Sequence, residues 1–238
     1  MSHFDTGTGQ IVANAAESER AGFIKRTYLH VAGAIAVFAL LETALIQMGV
    51  AHKFMGLLSL SSFSWLIVLG AFMLISTVAN NWAHSGVSRE KQYMGLALGV
   101  VGYAIIFMPM ILMALIRDPS GTLLQNAAVV TAALVGGLTF TAFSTKINFS
   151  FMGRFLMIGG FVAMGLIVAS MLFGFSLGLW FSGAMILFAA GSVLYSTSNI
   201  IHEFNTQQHV AASLSLFSSV GLLFWYILQF MMSMGSSD

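Results

Sequence analysis

Four serines fall in the first half of the chain's last apolar stretch, Val210–Met232, at positions 213, 215, 218 and 219. Ser215 and Ser219 are four apart and share one helical face, with Ser218 beside it. Such hydroxyls either line a polar path or bond back to the carbonyl one turn earlier, which satisfies them with no further role. Ser196 and Ser198, at the end of the preceding stretch, could face them across a hairpin. Glu42 is the one charged side chain well inside an apolar stretch. A carboxylate there is costly, so Glu42 is either an ion or proton site or a neutral acid bonded to a neighbouring helix. Pro109, inside a third stretch, removes a backbone donor and frees the carbonyl of Ile105. It predicts a kink there, either a fixed bend or the hinge of a gate.

Other chemistries find no footing. The six histidines never stand three or four apart, the spacing a helical metal pair needs, so no metal site is expected and the imidazoles read as interfacial or solvated. There is no cysteine and therefore no disulfide or thiol chemistry. An intramembrane serine protease needs a nucleophile in a glycine-rich turn with a histidine on another span, and Ser182-Gly183 has no such partner. A retinal protein needs a lysine deep in its last span, where this chain has none. No enzyme activity and no cofactor are expected. A net charge of +1 gives nucleic acid nothing to bind.

The elements that must position these residues are membrane spans. Of 238 residues 58% are hydrophobic and 7% charged, with mean hydropathy +0.91, whereas a globular domain carries about 25% charged residues. Seven stretches approach the ~20 residues that cross a bilayer: Thr27–Gly49, Ser62–Asn80, Tyr93–Ile116, Leu123–Phe143, Phe151–Phe173, Ser176–Tyr195 (extending toward His202) and Val210–Met232. The expected fold is all-α and polytopic, with the hydroxyl-bearing last helix central and Glu42 turned toward it. Residues 1–26 read as a polar cytoplasmic head, mobile to about Ala16, residues 27–234 as the transmembrane domain and residues 235–238 as a short tail. Positive charge sets the orientation. With the amino terminus inside, inner segments hold Arg20, Lys25, Arg26, Arg89, Lys91, Lys146 and Arg154, and outer ones only Lys53 and Arg117. The carboxyl terminus is then outside. The Gly95/Gly99 pair, Gly136-Gly137, and Gly159, Gly160 and Gly165 predict close helix contacts, and Arg117-Asp118-Pro119 an outer turn with a local charge pair.

Three segments carry a resemblance: FSTKINFSFMGRFLMIGGF at Phe143–Phe161, YSTSNI at Tyr195–Ile200 and SLSLFSSVGLLFWYIL at Ser213–Leu228. Together they make the carboxyl-terminal part of the chain resemble the Bax inhibitor-1 family of seven-span membrane proteins, in particular its bacterial members. The resemblance implies an inner-membrane bundle with a central last helix and, as in several members, a pH-sensitive calcium leak linked to membrane homeostasis under stress. That leak is attributed to two aspartates on the sixth and seventh spans whose shared proton latches the pore shut. At the matching positions this chain has Ser196 and Ser219, so the acid latch does not carry over. Either Glu42 supplies a titrating group or calcium is not conducted in the family's way. The alternative the resemblance implies is a non-transporting role as substrate or modulator of a membrane-bound AAA protease, which needs an accessible cytoplasmic tail and none of the missing aspartates.

Overall fold

In hydrocarbon no water satisfies a backbone N–H or C=O, so apolar stretches of this length fold as helices. The computed structural model describes residues 10–86, 88–145 and 147–235. The head before Gln10, Lys146 and the tail after Gly235 lie outside the described residues. The helices are α1 Glu17–Gln47, α2 Val50–Leu58, α3 Ser62–Ala83, α4 Arg89–Arg117, α5 Thr122–Ser144, α6 Met152–Phe173, α7 Gly178–His202 and α8 His209–Met234. All but α2 are long and apolar enough to cross a membrane. The protein is a multi-pass membrane protein with seven spans.

The short α2, between the first two spans, is not among the expected helices. Gly49 turns the chain out of α1 through a left-handed conformation, φ 72°, a region open to glycine at little cost. The nine residues that follow bury Ala51 against Met108 and Leu112 of α4. Nine residues give too few turns for an amphipathic pattern to stand out from a loop.

Two helices share the interior. α8 packs against α1, α3, α4, α5 and α7, while α4 packs against α1, α2, α3, α5 and α8. Both carry long runs of buried side chains, in contrast to peripheral α6, where only Ala163 is buried. The last helix thus shares the interior with α4. Pro109 is fully buried within α4, which stays helical from Arg89 to Arg117. The end of the bundle where α4 meets α5 is fastened by two contacts: Asp118 accepts from the Leu123 N–H at 2.7 Å at the start of α5, and Arg117 donates to the Met232 carbonyl at the end of α8 at 2.6 Å. Both placements put charge where the helix dipole attracts it. The Ser120 hydroxyl, then the Leu123 N–H, hold the Asp118 carboxyl below its usual range.

The head is less free than its composition suggests. Gln10 and Val12 exchange backbone hydrogen bonds with Thr206 and Phe204, each 3.0 Å, in the loop between α7 and α8. Val12 is wholly buried and sits in the same cluster as Phe23 and Ile200. Where composition suggests a head mobile to about Ala16, one apolar side chain and two backbone bonds hold Gln10 and Val12 against this loop.

Glycines sort by what a side chain would meet. A Cβ on Gly95 would lie 2.5 Å from the Ala83 nitrogen, and one on Gly99 would lie 2.5 Å from a Leu214 methyl. This pair does bring α4 against α3 and α8, and Gly159 meets Phe188 in the same way at 2.9 Å. Gly136, Gly137 and Gly165 have open space instead, so their expected role as close-packing points is corrected. Gly95→Ala, which collides with backbone, is expected to destabilise the bundle by about 1–3 kcal/mol. Gly136→Ala is expected to be neutral or slightly stabilising. Equilibrium unfolding in mixed micelles checks both, and equal effects at the two positions would contradict this packing.

Candidate functional site

α7 and α8 form a hairpin whose facing sides carry hydroxyls. Ser196 and Ser219 meet at 2.8 Å, Ser192 and Ser219 at 2.9 Å, and Ser215 reaches Ser196 at 3.3 Å. The Ser219 hydroxyl also lies 3.2 Å from the Ser215 carbonyl. One direction of donation satisfies all four protons: Ser215 to Ser196, Ser196 to Ser219, Ser192 to Ser219, and Ser219 to the Ser215 carbonyl. Ser219 then accepts twice and donates once, which is the capacity of a hydroxyl. Ser196 and Ser219 are buried, and Ser192 and Ser215 are half-buried. The seam is neutral and internally closed, with no charged group taking part in these bonds. It runs from about 9 to about 15 Å, six to ten residues of helix, from the ends of α7 and α8 that bear the connecting loop.

Three of the four sequence candidates for an ion path or gate, Ser196, Ser215 and Ser219, are therefore brought together, and the structure adds Ser192. Ser192 sits one turn before Ser196, and that i, i+4 spacing was the signal that could have found it. Ser218 takes no part: its carbonyl accepts from the Tyr103 hydroxyl at 3.3 Å. Ser198 serves a different joint, accepting from the Phe149 N–H at 2.9 Å, while Ser150 donates to the Asn199 side chain at 2.9 Å. The two segments Phe143–Phe161 and Tyr195–Ile200 thus pack on one another.

Glu42 does not join the seam. Ser213 of α8 donates to the Thr27 carbonyl of α1 at 3.0 Å, and Phe217 meets Phe38 with ring centroids 6.3 Å apart. Ser213 and Phe217 therefore define the face of α8 turned to α1. Ser215 and Ser219 are each two residues on, about 200° around the helix, and face α7 instead. The last helix therefore stands between α1, which carries Glu42, and the serines. Glu42 is 4% exposed, and neither of its carboxyl oxygens has a hydrogen-bond partner.

A second polar group was missed because its members lie far apart in sequence. The Tyr93 hydroxyl is 3.1 Å from His30 Nε2 and 3.4 Å from His209 Nε2, joining α1, α4 and α8 where the bundle's basic residues lie. Of the two readings of the imidazoles, interfacial or solvated, burial of His209 removes the second for that residue. Among the described residues no group of three or more His, Asp or Glu could hold a metal ion.

A seven-span helical bundle whose last two spans are joined by buried hydroxyls defines the class of this protein. The chain belongs to the family described as Inhibitor of apoptosis-promoting Bax1, which matches residues 20–236. It is similar to an uncharacterized protein of Pseudomonas aeruginosa, 30% identical over 171 residues that cover 71% of this chain and 72% of the relative. Uncharacterized proteins of Neisseria meningitidis serogroups A and B are 25% identical over 160 residues, 67% of each chain. No solved structure matches.

Ser219→Ala deprives Ser196 and Ser192 of their acceptor. It is expected to cost about 1 kcal/mol, the scale of one net hydrogen bond in proteins and at the upper part of the range within membranes. Ser218→Ala is expected to cost nothing measurable. Unfolding of the two variants in mixed micelles separates them, and equal stabilities would remove the seam as a stabilising network.

Proposed function

We propose that the protein is a cation leak of the bacterial inner membrane, with the α7–α8 seam as its closed gate, the amino terminus cytoplasmic and the carboxyl terminus outside. The observation that carries this reading is the 2.8 Å contact between Ser196 and Ser219, the positions at which the family resemblance places a proton-sharing acid pair. The hydroxyls close the same gap by hydrogen bonding. They have no proton to lose near neutral pH, so the gate opens by thermal separation of α7 from α8 and not by titration. Serine oxygens are weak ligands for calcium beside carboxylates, so calcium passes slowly and with little preference over other cations. Glu42, on the far side of α8, lies off this path.

Purified protein in calcium-loaded vesicles is expected to give a flux above that of protein-free vesicles, changing less than about twofold between about pH 6 and pH 8. Ser196→Asp with Ser219→Asp is expected to install pH dependence. Two acids in contact share one proton and titrate as a pair, so the gate stays shut at low pH. Flux then rises several-fold as pH climbs through the upper apparent pKa and the two charges repel. Glu42→Gln is expected to leave flux within about twofold of wild type. Flux no greater than in protein-free vesicles, or a steep pH dependence in the wild type, would overturn the proposal.

A further inference from the structure

Between α1 and α5, which lean on α8 without packing extensively on each other, runs a groove of about 510 Å³. Ile35 and Phe38 form one wall, Thr131 and Gly136 the other, and Phe217 and Phe224 of α8 the floor. Its volume falls within the ~300–1,000 Å³ of ligand pockets. From Tyr28 to Ala39 it extends eleven residues of α1, about 16 Å. That is close to half of the ~30 Å hydrocarbon core, the depth reached by the chains of one leaflet.

Its surface is carbon. The Thr131 hydroxyl is spent on the Ala127 carbonyl at 2.7 Å and the Tyr103 hydroxyl on the Ser218 carbonyl at 3.3 Å. Tyr28 and Thr139 also line the groove, and their hydroxyl oxygens are buried. A water needs two or more polar partners and finds none here, so the groove takes hydrocarbon. Its side is open: Ile35 is 42% exposed and Gly136 is exposed, both toward what the bilayer would fill. The Tyr28–Phe143 ring contact, centroids 6.2 Å apart, brings the two walls together at its basic end. Lys25, exposed and one turn before Tyr28 on the same face of α1, stands at that end with Arg26 beside it.

We infer that this groove is a binding site for an anionic phospholipid, one acyl chain lying along α8 between α1 and α5 and the phosphate headgroup at Lys25. The carbon lining selects the chain, the length matches one leaflet, and the cationic end selects the charge of the head.

The test uses full-length protein in nanodiscs with phosphatidylglycerol or phosphatidylcholine carrying a diazirine in one acyl chain, followed by peptide mapping. Phosphatidylglycerol is expected to label the groove segments of α1, α5 and α8 at least threefold more than phosphatidylcholine does. It should also label them more than the exposed α6 surface around Phe161. Gly136→Leu places its side chain in open space and is expected to reduce groove labelling several-fold with α6 labelling unchanged. Ala132→Leu on the same wall serves if that variant does not fold. Lys25→Gln is expected to abolish the preference for phosphatidylglycerol while groove labelling persists. Even labelling of all exposed spans, groove labelling indifferent to the leucine variants, or equal labelling by the two lipids would each overturn the site.

Discussion

A hydroxyl in hydrocarbon has to find its partner inside the protein, and where it finds it distinguishes the spans. Thr27, Thr43, Thr77, Thr131 and Thr141 each bond the carbonyl one turn earlier on their own helix. Such a group adds nothing between helices. Ser192, Ser196, Ser215 and Ser219 bond across a helix pair, and Ser213 shares its hydroxyl between its own helix and the Thr27 carbonyl of α1. The serines of α8 therefore fasten it on two opposite sides, to α7 through one pair of positions and to α1 through another. Helix association in lipid lacks the hydrophobic drive available in water, so polar bonds of this kind and close glycine contacts set the arrangement.

The spans were legible because each is a long apolar run, and their ends fall within a few residues of the helices except at α1. There the helix begins ten residues before Thr27, since Glu17 and Glu19 suit the positive end of a helix while raising the polarity of the segment. The Ser196–Ser219 meeting was legible for a different reason: both lie near a short hairpin, so their depths must match. That Glu42 and the seam serines lie on opposite sides of α8 was not legible, because depth along a helix carries no rotation. The position of Glu42 along α1 says nothing of which side of α8 it reaches, and that side is fixed by Ser213 and Phe217. The His30–Tyr93–His209 group and the docking of Val12 were not legible at all, because they depend on which helices adjoin, a property of packing and not of any one segment.

Replacing a carboxyl pair by hydroxyls changes how a gate of this geometry holds. A shared proton between two acids gives a closure that fails once pH exceeds the upper apparent pKa of the pair. A ring of hydroxyls gives a weaker closure, each bond contributing about half to one kcal/mol within a membrane, but one that is indifferent to pH. With three bonds of that size across the pair, the closed state of the proposed gate is favoured by only about 2–3 kcal/mol from this source. The remainder of the closure must come from apolar packing along the hairpin, where Val193, Ile200, Leu216, Leu223 and Ile227 are buried in one cluster.

That division of labour bears on the groove between α1 and α5. The floor of the groove is α8 itself, through Leu216, Phe217, Val220 and Phe224, and Leu216 belongs also to the cluster that holds α8 against α7. An apolar chain lying there adds dispersion contacts to one side of α8 while the seam holds the other. Separation of α7 from α8 requires α8 to shift or α7 to leave. A filled groove restricts the first route and leaves the second, in which α7, carrying fewer buried residues than α8 along its length, swings away at the cost of the hydroxyl bonds and of the packing of Val193 and Ile200.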